Sequence, residues 1–211
     1  MIRMTTVAAA TALALVLGVP AAFAQSAVAP LTQAQNAAVN ERPTPATIKM
    51  FENVNTSLPN AIGTAEGNTN GSNSNSRAFA AAFVNDNGAP VYLVDTLSNR
   101  SVYQLQIDAN TGKPIGNAKI LEESQLPQQE RKLLATLPNA KTNLSDAIGN
   151  ATGKLGGKAI DAAITEANGQ IAYNVTVVNN GQVQRASVDQ ANGKVAVLPV
   201  PGEESGSSTQ K

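Results

Sequence analysis

Apolar positions recur along this chain in one arrangement that is used twice. Leu58, Ala61, Ile62 and Ala65 are spaced i, i+3, i+4, i+7, and Leu144, Ala147, Ile148 and Ala151 repeat that spacing 86 residues later. Such spacing places four apolar side chains on one face of a helix. Ser57 is the expected N-cap of the first helix, Pro59 is tolerated in its first turn, and Gly67 is the expected stop. Gly153 is the expected stop of the second. Each stripe is narrow and rich in alanine, so the helix can lie close against a flat partner, and the face of a sheet suits it.

After each helix the apolar period changes from helical to alternating. Phe79, Ala81 and Phe83 alternate, as do Ile160, Ala162 and Ile164. Asn87-Gly88 and Asn168-Gly169 then mark hairpin turns, since both residue types accept positive φ. The next strands carry Tyr92, Val94 and Thr96 in one copy and Ile171, Tyr173, Val175 and Val177 in the other. Asn99-Arg100 and Asn180-Gly181 punctuate the following turn. Third strands hold Tyr103, Leu105 and Ile107, then Ala186 and Val188, and short last strands are expected at Pro114-Ile115 and at 195–198. Each copy therefore reads as one helix followed by an antiparallel meander of three or four strands.

The strands correspond at an offset of 81, from Tyr92 to Tyr173, against 86 for the helices. The first copy thus carries about five extra residues between helix and strands, a kind of internal repeat that shapes every later inference. They fall in 68–76, almost wholly Asn, Gly, Ser and Thr, where the second copy has the compact 154–158. The insertion is read as a mobile, solvated loop, with phosphate or glycan binding as the alternative. Ahead of the first helix, Ile48, Met50 and Phe51 suggest one or two helical turns, and Leu134 and Leu137 stand 86 residues after Ile48 and Phe51. Residues 128–137 read as a short amphipathic helix that docks one unit on the other, against the alternative of a freely jointed pair.

Residues 1–24 have the parts of a secretion signal: Arg3, an apolar run over 7–19, and Ala22-Phe23-Ala24 before Gln25. The run is shorter than the roughly 20 residues a spanning helix needs. The expected layout is a signal peptide at 1–24, a flexible tether with a short helix at 25–54, a first domain at 55–116 and a linker at 117–140. A second domain at 141–199 and a disordered tail at 200–211 complete it. The fold class is α+β, as two tandem small domains in a cystatin-like arrangement.

Composition narrows the chemistry. The 15 basic and 15 acidic side chains balance, and the leader removes only Arg3, so no field attracts nucleic acid or anionic lipid. The absence of histidine and cysteine excludes Ser-His-Asp and Cys-His catalysis, thiolate chemistry and the usual zinc ligand sets. No phosphate-cradling glycine motif occurs. Asp108 and Asp189 each precede a Gly-containing turn, where an aspartate bonds to backbone two residues on. A calcium loop or paired acid–base carboxylates are the sharper alternatives, but the first lacks an EF-hand's further ligands. Tyr92 and Tyr173 are read as core, and the Asn70-Gly71-Ser72 sequon as a chance match in an Asn-rich chain. No catalytic, cofactor-binding or metal-binding residue is assigned.

The helix Leu58, Ala61, Ile62, the strand Tyr92, Val94 and the ending Ile107, Asp108, Thr111, Gly112 resemble the PepSY family. Leu144, Ala147, Ile148, Tyr173, Val175, Val188, Asp189 and Gly193 repeat the resemblance, departing at Ala191-Asn192. The family is named for propeptides of secreted metallopeptidases and for a spore-germination protein. The resemblance implies an α+β module that acts by binding and contributes no catalytic residue. The expectation is an exported, non-enzymatic protein, periplasmic or secreted, that inhibits or modulates a peptidase. Its partner would be a secreted or periplasmic peptidase or another envelope protein, received as an extended peptide at an exposed sheet edge. The alternative is an envelope scaffold or small-ligand sensor with a pocket between helix and sheet or between units.

Overall fold

The computed structural model describes residues 42–69, 75–167 and 169–200. The signal peptide, most of the tether, the middle of the Asn/Ser-rich loop with its sequon, Asn168 and the tail from 201 lie outside the described residues. Among the described residues, four helices and eight strands make up the α+β fold. Helix α1 (Pro45–Glu52) starts where Thr44 Oγ1 accepts from the Thr47 amide at 3.2 Å. Pro45 sits at the first helical position, where its missing N–H leaves nothing unpaired, and Thr44 before it is extended. Ile48 and Phe51 are buried, as are Leu134 and Leu137 in the corresponding segment, which holds α3 (Gln128–Leu134) and a 3-10 turn (Leu137–Asn139).

Helices α2 (Leu58–Thr69) and α4 (Leu144–Leu155) bury the four residues that each stripe predicts. At their starts, Ser57 Oγ accepts from the Asn60 amide at 3.4 Å and Asn143 Oδ1 from the Asp146 amide at 2.8 Å. Neither helix stops at the glycine expected to end it. Gly67 and Gly153 lie inside, and the helices run on to Thr69 and to Leu155, with Gly156 as the left-handed cap at φ 73°. A mid-helix glycine costs only about 1 kcal/mol against alanine. The Thr69 hydroxyl bonds the Ala65 carbonyl and the Ser76 and Thr96 hydroxyls, which holds that last turn onto the sheet.

The strands are β1 (Arg77–Asp86), β2 (Ala89–Ser98), β3 (Ser101–Asp108), β4 (Pro114–Glu122), β5 (Lys158–Ala167), β6 (Gln170–Asn179), β7 (Gln182–Asp189) and β8 (Val195–Leu198). The turns use the expected residues: Asn87, Asn99, Arg100 and Asn180 all have positive φ, as do Gly88, Gly169 and Gly181. Strand β4 is longer than the two residues expected and continues to Glu122. Val200, assigned to the tail, is buried against the core.

The larger difference is in how the halves meet. They do not stand as two separate sheets but form one antiparallel sheet in the order β4-β3-β2-β1-β5-β6-β7-β8. Strands β1 and β5 join it through Ala80–Ala163, Ala81–Ala162 and Ala82–Asp161. Ala81 and Ala162 are themselves related by the offset of 81, so the two meanders are arranged about a local two-fold through this seam. Each of β1 and β5 has a bulge near its start, at Ala78/Ala80 and Ala159/Asp161. Strand β1 is therefore paired on both edges and buried from Ala78 to Phe83, where simple alternation was expected.

All four helical segments lie on one face. Phe51 meets Phe83 edge-to-face at 5.4 Å, and Phe83 meets Tyr92 at 5.6 Å. Helix α2 also touches β5, α4 touches β1, and the helices touch each other over the seam. The small Ala81 and Ala162 beneath them permit that approach. Among the described residues no helix is long and apolar enough to cross a membrane.

Gly157 ties α4 to this sheet. It has φ 82°, and a Cβ there would lie 2.2 Å from the Val178 carbonyl oxygen and 2.9 Å from Asn179 Cα. Gly157→Ala is expected to cost about 3 kcal/mol or more, because backbone must move as well as strain be absorbed. A urea midpoint unchanged from the parent would show that the contact is easily relaxed.

Candidate functional site

The two turn aspartates take the local role read from their spacing. Asp108 Oδ1 accepts from the Asn110 amide at 2.9 Å and the Thr111 amide at 2.7 Å. Asp189 Oδ1 accepts from the Ala191 and Asn192 amides at 2.8 and 3.0 Å. The Thr111 amide, then that of Asn110, holds the Asp108 carboxyl below the usual carboxylate range. Because β1 and β5 run antiparallel, the turns after β3 and β7 lie at opposite ends of the sheet. The fold does not bring these carboxylates together. Among the described residues, no three His, Cys, Asp or Glu side chains cluster closely enough to hold a metal ion.

Tyr92 and Tyr173 are buried between helices and sheet. The Tyr92 hydroxyl donates to the Thr56 carbonyl at 2.8 Å, tying the entry of α2 to β2, and burial raises its phenol pKa. Tyr173 occupies the corresponding place, with Gln190, Arg77, Asp146 and Glu66 around it.

Two carboxylates that sequence reasoning passed over are buried and strongly perturbed. Strand alternation puts Asp95 and Asp161 on the face away from the helices, with Ala80, Ala82 and Ala163 between them. Asp95 is 0% exposed, and burial pushes its carboxyl up to about 8. Gln104 lies directly opposite and partly offsets this, although neither carboxyl oxygen has a hydrogen bond of good geometry. Asp161 is pushed by burial to about 7, against the opposing pull of the Thr176 hydroxyl and of Arg185 one strand further on. The available signal was an aspartate between Val94 and Thr96, since aspartate is depleted in strand interiors.

Two further features could receive a ligand or partner. The first is the sheet's free edges. Pairing consumes the edges of β1 and β5, so among the described strands only β4 and β8 keep one side unpaired. Along β4, Ile115 and Ile120 are exposed, and Gly116, at φ 67°, marks an irregularity that separates the two. The second is a cavity of about 250 Å³ between the halves. Phe51, Leu58, Tyr92 and Ile148 form its apolar wall, and Thr152 and Lys158 its polar side.

Residues 65–117, from the middle of α2 into β4, match the family model described as "Peptidase propeptide and YPEB domain", PepSY. No curated protein matches the chain. A solved structure, described as that of a "putative lipoprotein" from Clostridium difficile 630, aligns with 71% of this chain and 97% of its own. The two are 18% identical, with a TM-score of 0.40. The matched segment, from within α2 to the start of β4, is similar to a PepSY domain and lies in the first half of an eight-stranded sheet.

Proposed function

We propose that the protein is an exported, non-catalytic binding protein that inhibits or modulates a peptidase in the periplasm or at the cell surface. The observation that carries this reading is the PepSY match over 65–117, which ends within β4, an unpaired edge strand. An edge strand presents free backbone N–H and C=O groups, to which an extended peptide adds as a further strand. Side chains on alternate positions then set the specificity. On β4 the exposed Ile120 supplies an apolar contact, and the shorter β8 offers only four residues. The reading as a signal-bearing exported protein rests on residues 1–24 and on the family's association with secreted peptidases.

The test is to incubate the mature protein with a panel of secreted metallopeptidases and follow cleavage of a reporter peptide. A lowered or altered rate with at least one enzyme is expected, and unchanged rates across the panel would count against the reading. Ile120→Asp is expected to weaken any such association by about tenfold or more, since a charge at a desolvated contact is costly. Its melting temperature should stay near the parent's, because Ile120 is 61% exposed. An Ile120→Asp protein that binds like the parent would move the interface away from β4.

A further inference from the structure

The local two-fold relates each half's cavity-lining residues to counterparts in the other, and one substitution breaks the equivalence. In the first half, Glu66 of α2 reaches the start of β1, where its Oε1 accepts from the Ala78 amide at 2.8 Å. Arg77 directly precedes Ala78 in β1, and both Glu66 and Arg77 lie near Tyr173. In the second half the residue corresponding to Glu66 is Thr152, that corresponding to Arg77 is Lys158, and that corresponding to Ala78 is Ala159. The Thr152 hydroxyl turns back to donate to the Ile148 carbonyl at 2.8 Å. Among the described side chains none accepts from the Ala159 amide. Thr152, Lys158 and Ala159 all line the cavity of about 250 Å³, together with the apolar Phe51, Leu58, Tyr92 and Ile148.

The cavity is therefore where a carboxylate stands in the other half and none stands here. We propose that it binds a small apolar monocarboxylate, whose carboxylate takes the position Glu66 holds in the first half. The Ala159 amide donates to it, Lys158 at the rim neutralises it, and the apolar body lies against Phe51, Leu58, Tyr92 and Ile148. The volume falls below the roughly 300 Å³ at which sites for drug-sized ligands begin, so a single ring or a short alkyl chain is the class that fits. Charge-assisted bonds to a carboxylate are stronger than those to a neutral amide, which sets the selectivity.

The test uses the mature full chain, with phenylacetate and octanoate compared with phenylacetamide and octanamide by calorimetry and amide NMR. Saturable binding of an acid is expected, with the matched amide weaker by about tenfold, and the largest amide shift at Ala159. Thr152→Glu should supply the missing carboxylate from within, raising the melting temperature and lowering acid binding by about tenfold or more. Lys158→Gln should weaken the acid and leave the amide unaffected. The proposal fails if neither acid binds at millimolar concentration, if acid and amide bind equally, or if the shifts map away from the cavity. It also fails if a folded Thr152→Glu protein binds acid like the parent. Since the wild-type acid–amide comparison needs no variant, a Thr152→Glu protein that does not fold leaves the proposal open to refutation. None of these readouts involves a peptidase, so this site and the edge-strand reading succeed or fail separately.

Discussion

Asp95→Asn is expected to make the protein more stable, and increasingly so as pH rises. An unfolded chain releases an aspartate proton near pH 3.8, whereas folded Asp95 holds its proton up to about 8. Between those values folding takes up a proton, so the stability of the wild type falls as pH rises through the window and levels off above it. Asp161 adds a decline in the same direction up to about 7. Asp108 acts oppositely: its folded pKa is lowered, so its contribution is present above the ordinary carboxylate range and is lost as pH falls through the folded value. Together these three groups favour the folded state most near the ordinary aspartate value of 3.8. Each tenfold difference in proton affinity between folded and unfolded chain is worth about 1.4 kcal/mol. With relaxation around the charge, Asp95→Asn should gain on the order of 2 to 4 kcal/mol at pH 9 and clearly less at pH 5. Urea unfolding of both proteins at the two pH values checks this. Parallel pH profiles for wild type and variant would mean that Asp95 is not the buried acid its environment implies.

A chain cut after Leu126 tests the seam between the halves. It retains α1, α2 and β1 to β4 but loses the strand that pairs with Ala80, Ala81 and Ala82. The exposed edge of β1 is an alanine-rich run between Arg77 and Asp86 with no charge inside it, and natural edge strands usually carry one. The fragment is expected to form a dimer by pairing β1 with β1 about Ala81, because the seam already approximates that two-fold. Without such pairing it should unfold or aggregate, since a unit of this size has only a marginal core. Light scattering with size exclusion distinguishes these states. A stable, folded monomer would show that each half is self-sufficient, as separate tandem domains would be. The intact chain should then also unfold in two steps, whereas a shared sheet predicts one.

Much of the local structure was legible because single residues carry it. Leu58, Ala61, Ile62 and Ala65 describe a helix face by spacing alone, and Asn87-Gly88 and Asn180-Gly181 accept the positive φ that two-residue hairpins require. Asp108 and Asp189 bond to amides two and three positions on, an interaction set entirely within the turn. Helix ends were less legible. Gly67 has the residue type of a stop, yet distant hydroxyls on Ser76 and Thr96 extend the helix past it. The candidate site was barely legible. Asp95 reads as one more polar strand residue until its neighbours bury it, and Thr152 means nothing until Glu66 is seen reaching Ala78.

Taken alone, the amino-acid sequence determined the elements, their order in each copy, the tyrosine core positions and the family resemblance, because periodicity, turn chemistry and short-range hydrogen bonds act within a few residues. Only the tertiary structure decided that β1 and β5 pair, and with that pairing which edges stay open, which acids lose their water and where a cavity remains. Strand pairing is a contact between backbones far apart in the chain. Alanines that can serve an exposed edge serve a buried seam equally well, so no local pattern distinguishes the two.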